Sequence, residues 1–131
     1  DYQQIAVICR MTEDLGFKVN IIPCPVIREE SGLAMSSRNT LLAPEEKEIA
    51  PKIYQTLKQS KALQLSIEET QKWVVDEINK VDGLEVEYYS IVDGSTLADI
   101  NSWEDAASVV GCITVYCGKT PIRLIDHIRY K

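Results

Sequence analysis

The sequence predicts an α+β fold in which helices precede a small antiparallel sheet, and three observations support this. Residues 108–117 are rich in Val, Ile, Thr and Tyr, and a Gly-Lys-Thr-Pro turn separates them from a second apolar run at residues 122–125, as in a β-hairpin. Two stretches with helical spacing of apolar residues occupy residues 43–83. Residues 1–23 begin with a helical pattern and end in a β-branched run, which is typical of the closing half of a βαβ unit.

The first element is predicted to be a helix that ends at Gly16, since glycine commonly follows the last helical turn. Asp1 and Gln4 have the spacing of a capping box, in which each side chain accepts from a backbone N–H of the other residue. The residues that recur at helical spacing are Ile5, Ile8, Cys9, Thr12 and Leu15.

Residues 19–23, Val-Asn-Ile-Ile-Pro, are short, β-branched and closed by a proline, so they predict a buried strand. A strand needs a hydrogen-bonding neighbour, which implies a further sheet on the N-terminal side. The chain begins with Asp, without an initiator Met or a signal-peptide pattern. We therefore expect a piece of a longer protein that is not secreted.

Two helices are predicted between residues 43 and 83. The first opens at residues 43–46, Ala-Pro-Glu-Glu, because proline suits the first turn and carboxylates complement the helix dipole. Pro51 is expected to kink it, since proline removes a backbone donor. Residues 66–69, Ser-Ile-Glu-Glu, form a capping box that opens the second helix, and Asp82-Gly83 ends it.

Alternation from Leu84 to Val92 predicts the first strand of the sheet, with Leu84, Val86 and Tyr88 on one face. Tyr88 and Tyr89 then point to opposite faces, so at most one of them lies in the core. Residues 97–100 are expected to form a short further segment before the hairpin.

The composition is that of a globular domain with an acidic surface. The 131 residues are 45% apolar, enough for one core, and no apolar run reaches the roughly 18 residues that a membrane span needs. Twenty acidic against 14 basic residues give a net charge of −6, which argues against a general nucleic-acid surface. We expect neither nucleic acid nor a membrane as a partner.

The cysteines and the histidine predict no metal site. The four cysteines contain no Cys-x-x-Cys pair and are accompanied by one histidine, so zinc is not expected. Each cysteine lies in an apolar run, where a reduced thiol acts as a small hydrophobe, and a reducing, cytosolic compartment follows. His127 comes after the last predicted strand without an obvious carboxylate partner, so an edge position is expected.

The chemistry of the chain concentrates in the loop of residues 25–42. Ser36, Ser37, Arg38 and Asn39 place two hydroxyls, a guanidinium and a carboxamide side by side, and Arg offers a fork of donors matched to phosphate or carboxylate oxygens. Short Ser side chains let backbone N–H groups approach the same oxygens. From composition alone, a solvated loop followed by a helix cap is the other interpretation. The nearby pair of glutamates at residues 29–30 is balanced locally by the preceding arginine.

The longer string around this loop resembles a known family. Arg-Glu-x-x-Gly-Leu-Ala-Met-Ser-Ser-Arg-Asn at residues 28–39, with Asp-Tyr-Gln-Gln at residues 1–4, Thr96-Leu97 and Arg-Leu-Ile-Asp at residues 123–126, is similar to the pantoate-beta-alanine ligases (pantothenate synthetases). The resemblance covers essentially the whole chain as the C-terminal portion of such an enzyme. The family's His-x-Gly-His motif and most of its nucleotide-binding domain are expected before residue 1.

The resemblance implies a fold, a reaction and a set of site residues. Residues 1–26 are expected to end a Rossmann-like nucleotide-binding domain, and residues 27–131 to form a C-terminal lid domain. The reaction implied is ATP-dependent condensation of pantoate with β-alanine through a pantoyl adenylate, with ATP and Mg²⁺ required and a cytoplasmic homodimer as the full-length protein. The implied ATP contacts are Asp1, Ile27, Met35, Ser36, Ser37 and Arg38, the last three also stabilising charge in catalysis. Gln4 is implied to bind pantoate, and no residue is implied to bind a metal.

Two other functions are open at this point. The loop can hold an anion or a partner carboxylate in a non-catalytic assembly module, or it can belong to another adenylate-forming nucleotidyltransferase, which uses a related Lys-Met-Ser-Lys-Ser-type loop. A His-x-Gly-His motif roughly a hundred residues upstream separates a ligase from a module, and the acidic balance weighs against a tRNA partner.

Overall fold

The computed structural model describes residues 1–131. Helices precede an antiparallel sheet, which confirms the predicted α+β class. The elements are α1 (Tyr2–Asp14), a 3-10 helix (Ser37–Leu41), α2 (Pro44–Ile49), α3 (Lys52–Ser60), α4 (Ile67–Asn79), β1 (Leu84–Asp93), β2 (Val109–Cys117) and β3 (Ile122–Arg129). No helix is both long and apolar enough to cross a membrane.

The sheet has the order β1-β2-β3, with every neighbour antiparallel. β2 and β3 form the predicted hairpin, and Gly118 adopts a φ of 91° in the turn, a backbone conformation that glycine reaches without strain. β3 continues four residues past the predicted end at 125, to Arg129. It does so because β2 supplies a partner along its whole length, from the Cys117–Ile122 pair to the Val110–Arg129 pair.

A β-bulge in β1 changes which face its residues occupy. The register with β2 shifts between Val86 and Tyr88, so the alternation predicted from Leu84 onward does not continue through Tyr88. Tyr89 is buried at 7% exposure and Tyr88 is only half-buried. The prediction that Tyr88 shares the inner face of Leu84 and Val86 is therefore wrong, because an extra residue in one strand inverts every later position. The segment predicted at 97–100 forms only an isolated bridge, between Val92 and Asp99.

The two predicted helical stretches are confirmed. Pro51, where a kink is predicted, instead divides the first of them into two helices. α2 ends at Ile49 and α3 begins at Lys52, because Pro51 has no N–H for the carbonyl four residues earlier. Ser66 and Glu69 form the predicted capping box: the Ser66 Oγ accepts from the Glu69 N–H at 3.2 Å and a Glu69 carboxylate oxygen accepts from the Ser66 N–H at 2.9 Å.

The core lies between the sheet and the α3–α4 pair. Burial of aliphatic side chains is the main driving force for folding. Side chains from α3, α4, β1 and β2 are almost completely buried there, among them Leu57, Val74, Ile78, Ile91, Val109, Ile113 and Val115. Trp103 packs at the edge of this core and donates its indole N–H to the Leu65 carbonyl at 2.9 Å.

The strand predicted at residues 19–23 is absent from the structure. No backbone hydrogen bond joins residues 18–26 to another part of the chain, and Val19 and Ile22 are 59% and 80% exposed. The prediction of a buried strand is wrong for these 131 residues because no other segment lies beside it as a partner. α1 before it matches its prediction, with the Asp1 carboxylate accepting from the Gln4 N–H at 3.2 Å and Gly16 in the left-handed region. The structure contains only this half of the predicted Asp1–Gln4 capping box.

Candidate active site

Residues 27–35 form a tight hairpin that carries the Ser-Ser-Arg-Asn segment. The Met35 N–H donates to the Ile27 carbonyl and the Glu29 N–H to the Leu33 carbonyl, each at 2.9 Å. Gly32 turns the chain with a φ of 92°, which a residue with a side chain adopts only with strain. The hairpin therefore returns the backbone at Met35 to a fixed place from which residues 36–39 continue.

The 3-10 helix that follows the hairpin has Ser36 as its N-cap and Arg38 as its second residue. Ser36 is extended and caps this helix, with its Oγ accepting from the Arg38 N–H at 3.2 Å. Arg38 is exposed and forms no ion pair with any carboxylate of the chain. Its guanidinium is thus free to pair with an anion from outside.

A cleft of about 190 Å³ lies between this loop, the start of α1 and β3. It is lined by both polar and apolar side chains, which suits a ligand that has both kinds of group. Four of the residues predicted for the site line it, namely Asp1, Met35, Ser36 and Arg38. The structure thus brings together residues from the two ends of the segment 1–38.

Three other predicted site residues lie outside the lining of this cleft. Ser37 is exposed, and its carbonyl accepts from the Thr40 Oγ1 at 2.7 Å. Ile27 is 70% exposed, with its carbonyl occupied by Met35. Gln4 is exposed on the first turn of α1. Their contacts with ATP and pantoate stay predictions.

An ion pair beside the cleft joins Arg28 of the hairpin to Asp126 of β3. The Nη1 and Nη2 atoms of Arg28 donate to the two carboxylate oxygens of Asp126 at 2.6 and 2.8 Å. Burial alone lowers the pKa of Arg28, but the hydrogen bonds and charge of Asp126 outweigh it and leave that pKa above its ordinary value. This pair was not predictable from local spacing, because its members are 98 residues apart. The expected local balance between Arg28 and the glutamates at 29–30 is thus wrong.

Asn39 belongs to the predicted anion-binding loop and is buried at 6% exposure. Its Nδ2 donates to the Glu29 carboxylate at 2.9 Å and to the Ala34 carbonyl at 3.0 Å. The carboxamide therefore ties the 3-10 helix to the hairpin, because both of its donors are used within the loop.

His127 lies within β3, so the position predicted after the strand is wrong. The predicted edge position is confirmed, because β3 is an edge strand of the sheet, and the side chain also lines the cleft. Its ring lies against Tyr2 of α1, with 5.1 Å between ring centroids. Burial lowers the pKa of His127, although the charge of Asp126 acts in the opposite direction. The surroundings of His127 therefore disfavour its charged form.

The acidic, cysteine and histidine side chains of the chain do not converge on a cation. No group of three or more of them lies close enough together to hold a metal ion. Residues 1–131 by themselves therefore provide no cluster of carboxylates, cysteines and histidine for a metal ion.

Comparison with known proteins identifies the family. The family model described as pantoate-beta-alanine ligase matches residues 1–129. The pantothenate synthetases of Bacteroides thetaiotaomicron and Porphyromonas gingivalis are both 50% identical over the whole chain, which covers 46% and 47% of their lengths. The chain therefore spans about half the length of the curated relatives it matches.

Solved structures give the same result for the fold. The pantothenate synthetase of Thermus thermophilus superposes with a TM-score of 0.89 at 34% identity, covering 99% of this chain and 47% of that one. The pantoate-beta-alanine ligase of Francisella tularensis, complexed with beta-gamma ATP and beta-alanine, gives a TM-score of 0.68 at 32% identity, with 99% and 41% covered. By sequence match and by fold, the chain belongs to the pantoate-beta-alanine ligase family.

Proposed function

We propose that the protein carrying this chain makes pantothenate by ATP-dependent condensation of pantoate with β-alanine. The observation that carries the proposal is the family match over residues 1–129, joined to a cleft whose rim holds the unpaired Arg38. The Francisella relative complexed with beta-gamma ATP and beta-alanine supports these two substrates.

The reaction we propose has two steps. The pantoate carboxylate attacks the α-phosphorus of ATP, forming pantoyl adenylate as the bond to pyrophosphate breaks. The β-alanine amine then attacks the acyl carbon and expels AMP, and its proton passes to solvent. Neither step requires a covalent bond to the protein, so the protein contributes positioning and charge stabilisation.

Arg38 is the residue that we assign to the charge developing on the phosphates. Its guanidinium is exposed at the cleft without a carboxylate partner, and a fork of donors matches two phosphate oxygens. Ser36 and Ser37 are proposed to donate their hydroxyls to the same phosphates. The other proposed ATP contacts are Asp1 at the ribose, the Ile27 backbone at the adenine and Met35 over the triphosphate.

We place Mg²⁺ on the triphosphate of ATP, where a metal ion polarises the phosphoryl oxygens. The proposed division into domains is 1–26, ending the nucleotide-binding domain, and 27–131, forming the lid. The free state of all four cysteines supports a reducing, cytoplasmic location. A homodimer is proposed for the full-length protein.

Pyrophosphate release by the full-length protein tests the function. We expect release that needs both ATP and pantoate, and one turnover of it without β-alanine, because adenylation precedes attack by the amine. Residues 1–131 alone are expected to make no pantothenate, since they span 46% of a relative's length. Release without pantoate, or none at all, contradicts the proposed reaction.

Gln4 is assigned to pantoate, and its replacement tests that assignment. Gln4→Ala is expected to raise the apparent KM for pantoate and to leave the KM for ATP unchanged, because one hydrogen bond to a single substrate is lost. Gln59→Ala, at an exposed glutamine of α3, is the matched control. An unchanged pantoate dependence in Gln4→Ala rejects the assignment.

A further inference from the structure

The loop that presents Ser36 and Arg38 is anchored on both sides by buried polar contacts. On its N-terminal side, Arg28 joins the hairpin to β3 through Asp126. On its C-terminal side, Asn39 joins the 3-10 helix back to Glu29 of the same hairpin. Residues 35–38 lie between these anchors, and all four of them are assigned to ATP.

The Arg28 side chain contacts three separate parts of the chain. Besides its two bonds to Asp126, its Nη1 donates to the Gly32 carbonyl at 3.1 Å, which closes the turn of the hairpin. Its guanidinium also lies 3.4 Å above the centre of the Tyr54 ring on α3, a favourable cation–π geometry. One side chain thus connects the hairpin, the sheet and a helix of the core.

The same contacts make Arg28 unsuitable as a ligand for an anion. Its side chain is 18% exposed and that of Asp126 is 6% exposed, and Arg28 does not line the cleft. Asp126 already neutralises its charge with both carboxylate oxygens. The role that remains for Arg28 is to hold the loop in place.

We propose that Arg28 and Asp126 are positioning residues of the site, which lock the hairpin to β3 so that Ser36 and Arg38 face the ligand. This inference rests on the proposed function for its kinetic consequence, but the restraint on the loop does not depend on the reaction. A group that must meet a transferring phosphate loses much of its effect when it is displaced by about 1 Å. The ion pair therefore acts on the rate through the geometry of residues 35–38.

The test uses Asp126→Asn in the full-length protein, with Asp76→Asn as the matched control. Asp76 forms an exposed ion pair with Lys72 on α4, outside the cleft, so the control makes the same chemical change where no loop is anchored. Arg28→Lys is the second variant, which keeps the positive charge against Asp126 and so preserves folding. It loses the fork that reaches both oxygens and the Gly32 carbonyl.

Amide hydrogen exchange without substrates is the first measurement. The amides of Met35, Arg38 and Asn39 are each hydrogen-bonded within the loop, to Ile27, Ser36 Oγ and the Ser36 carbonyl. We expect these amides to exchange faster in Asp126→Asn and in Arg28→Lys, while amides in α4 and β2 and all those of Asp76→Asn stay unchanged. A role confined to global stability would instead raise exchange throughout the core.

Steady-state pyrophosphate release is the second measurement. We expect kcat/KM for ATP to fall about 10- to 100-fold in Asp126→Asn, less in Arg28→Lys, and not at all in Asp76→Asn. Unchanged loop exchange, or faster exchange with unchanged kcat/KM, overturns the proposal. If the unaltered full-length protein releases no pyrophosphate, the proposed function fails, and the exchange comparison still decides whether the pair restrains the loop.

Discussion

Two arginines of the same loop have opposite surroundings, and this difference assigns their roles. Arg28 is held by Asp126, Gly32 and the Tyr54 ring, whereas Arg38 is exposed and has no ion-pair partner. A guanidinium that is already paired has few donors left for a ligand, and an unpaired one has all five. Residue type alone does not separate these two cases.

Arg38→Ala in the full-length protein is expected to lower the rate of pyrophosphate release about 10²- to 10³-fold, the usual effect of removing one donor to a developing negative charge. The Tm should stay close to that of the unaltered protein, because Arg38 makes no ion pair within the chain. Stopped-flow pyrophosphate detection and thermal denaturation measure the two effects. Arg10→Ala, at an exposed arginine paired only with Asp14, is the control, and a near-normal rate in Arg38→Ala rejects the assignment.

His127 gives the protein a pH dependence whose sign follows from burial. Burial lowers the pKa of His127 in the folded protein, so the unfolded chain binds this proton more readily. The stability that neutral His127 contributes is therefore fully present above the pKa of about 6.5 in the unfolded chain. It is lost as the pH falls through the lower pKa of the folded protein. When the pH is lowered from about 7.5 to about 5.5, we expect the Tm of His127→Gln to fall less than the Tm of the unaltered protein. Equal losses in the two proteins contradict this expectation.

At the scale of elements, a few adjacent residues determine where α4 begins and where α2 ends. The Ser66 hydroxyl accepts from the Glu69 N–H, and the Ser66 N–H donates to the Glu69 carboxylate. Two otherwise unpaired donors at the start of α4 are thereby bonded. Pro51 acts equally locally, since it separates α2 from α3 by its missing N–H. Such effects depend on a few adjacent residues and are therefore predictable from them.

Ser66→Ala is expected to lower the free energy of unfolding by about 1 kcal/mol, the usual cost of losing an N-cap side chain. Ser66→Asp should keep most of the stability, because aspartate also accepts from the first-turn N–H groups. Urea denaturation followed by circular dichroism measures both variants. A Ser66→Ala protein as stable as the original would show that the cap contributes nothing to α4.

At the scale of the whole molecule, one core joins residues between Leu33 and Tyr130. On one face of the sheet, α4 lies against β1 and α3 against β3. Their buried residues share one core with buried side chains of all three strands. Residues 1–27 contribute little to this core and expose apolar side chains, including Leu15 at 62% and Phe17 at 56%. Stability should therefore depend far more on residues after the hairpin than on those before it.

Leu57→Ala is expected to cost about 2–5 kcal/mol of unfolding free energy, because Leu57 is completely buried and its loss leaves a cavity. Leu41→Ala is the matched control at 65% exposure, where a change within about 0.5 kcal/mol is expected. Urea unfolding of both variants provides the comparison. Similar costs at the two positions would contradict the placement of the core.

The sequence by itself determined what depends on neighbouring residues. The α+β class, the helix caps at Asp1 and Ser66, the break at Pro51 and the β2–β3 hairpin all follow from residue type and short-range spacing. The family resemblance also rests on contiguous strings, and the family model that matches residues 1–129 confirmed it.

The tertiary structure decided what depends on distant residues. The Arg28–Asp126 pair, the place of His127 in the cleft and the inversion of β1 after its bulge each need a partner far along the chain. The predicted strand at 19–23 failed for the same reason, since a strand exists only through hydrogen bonds to a neighbour that these residues lack. Local spacing carries no information about which distant group will supply the other half of such a contact.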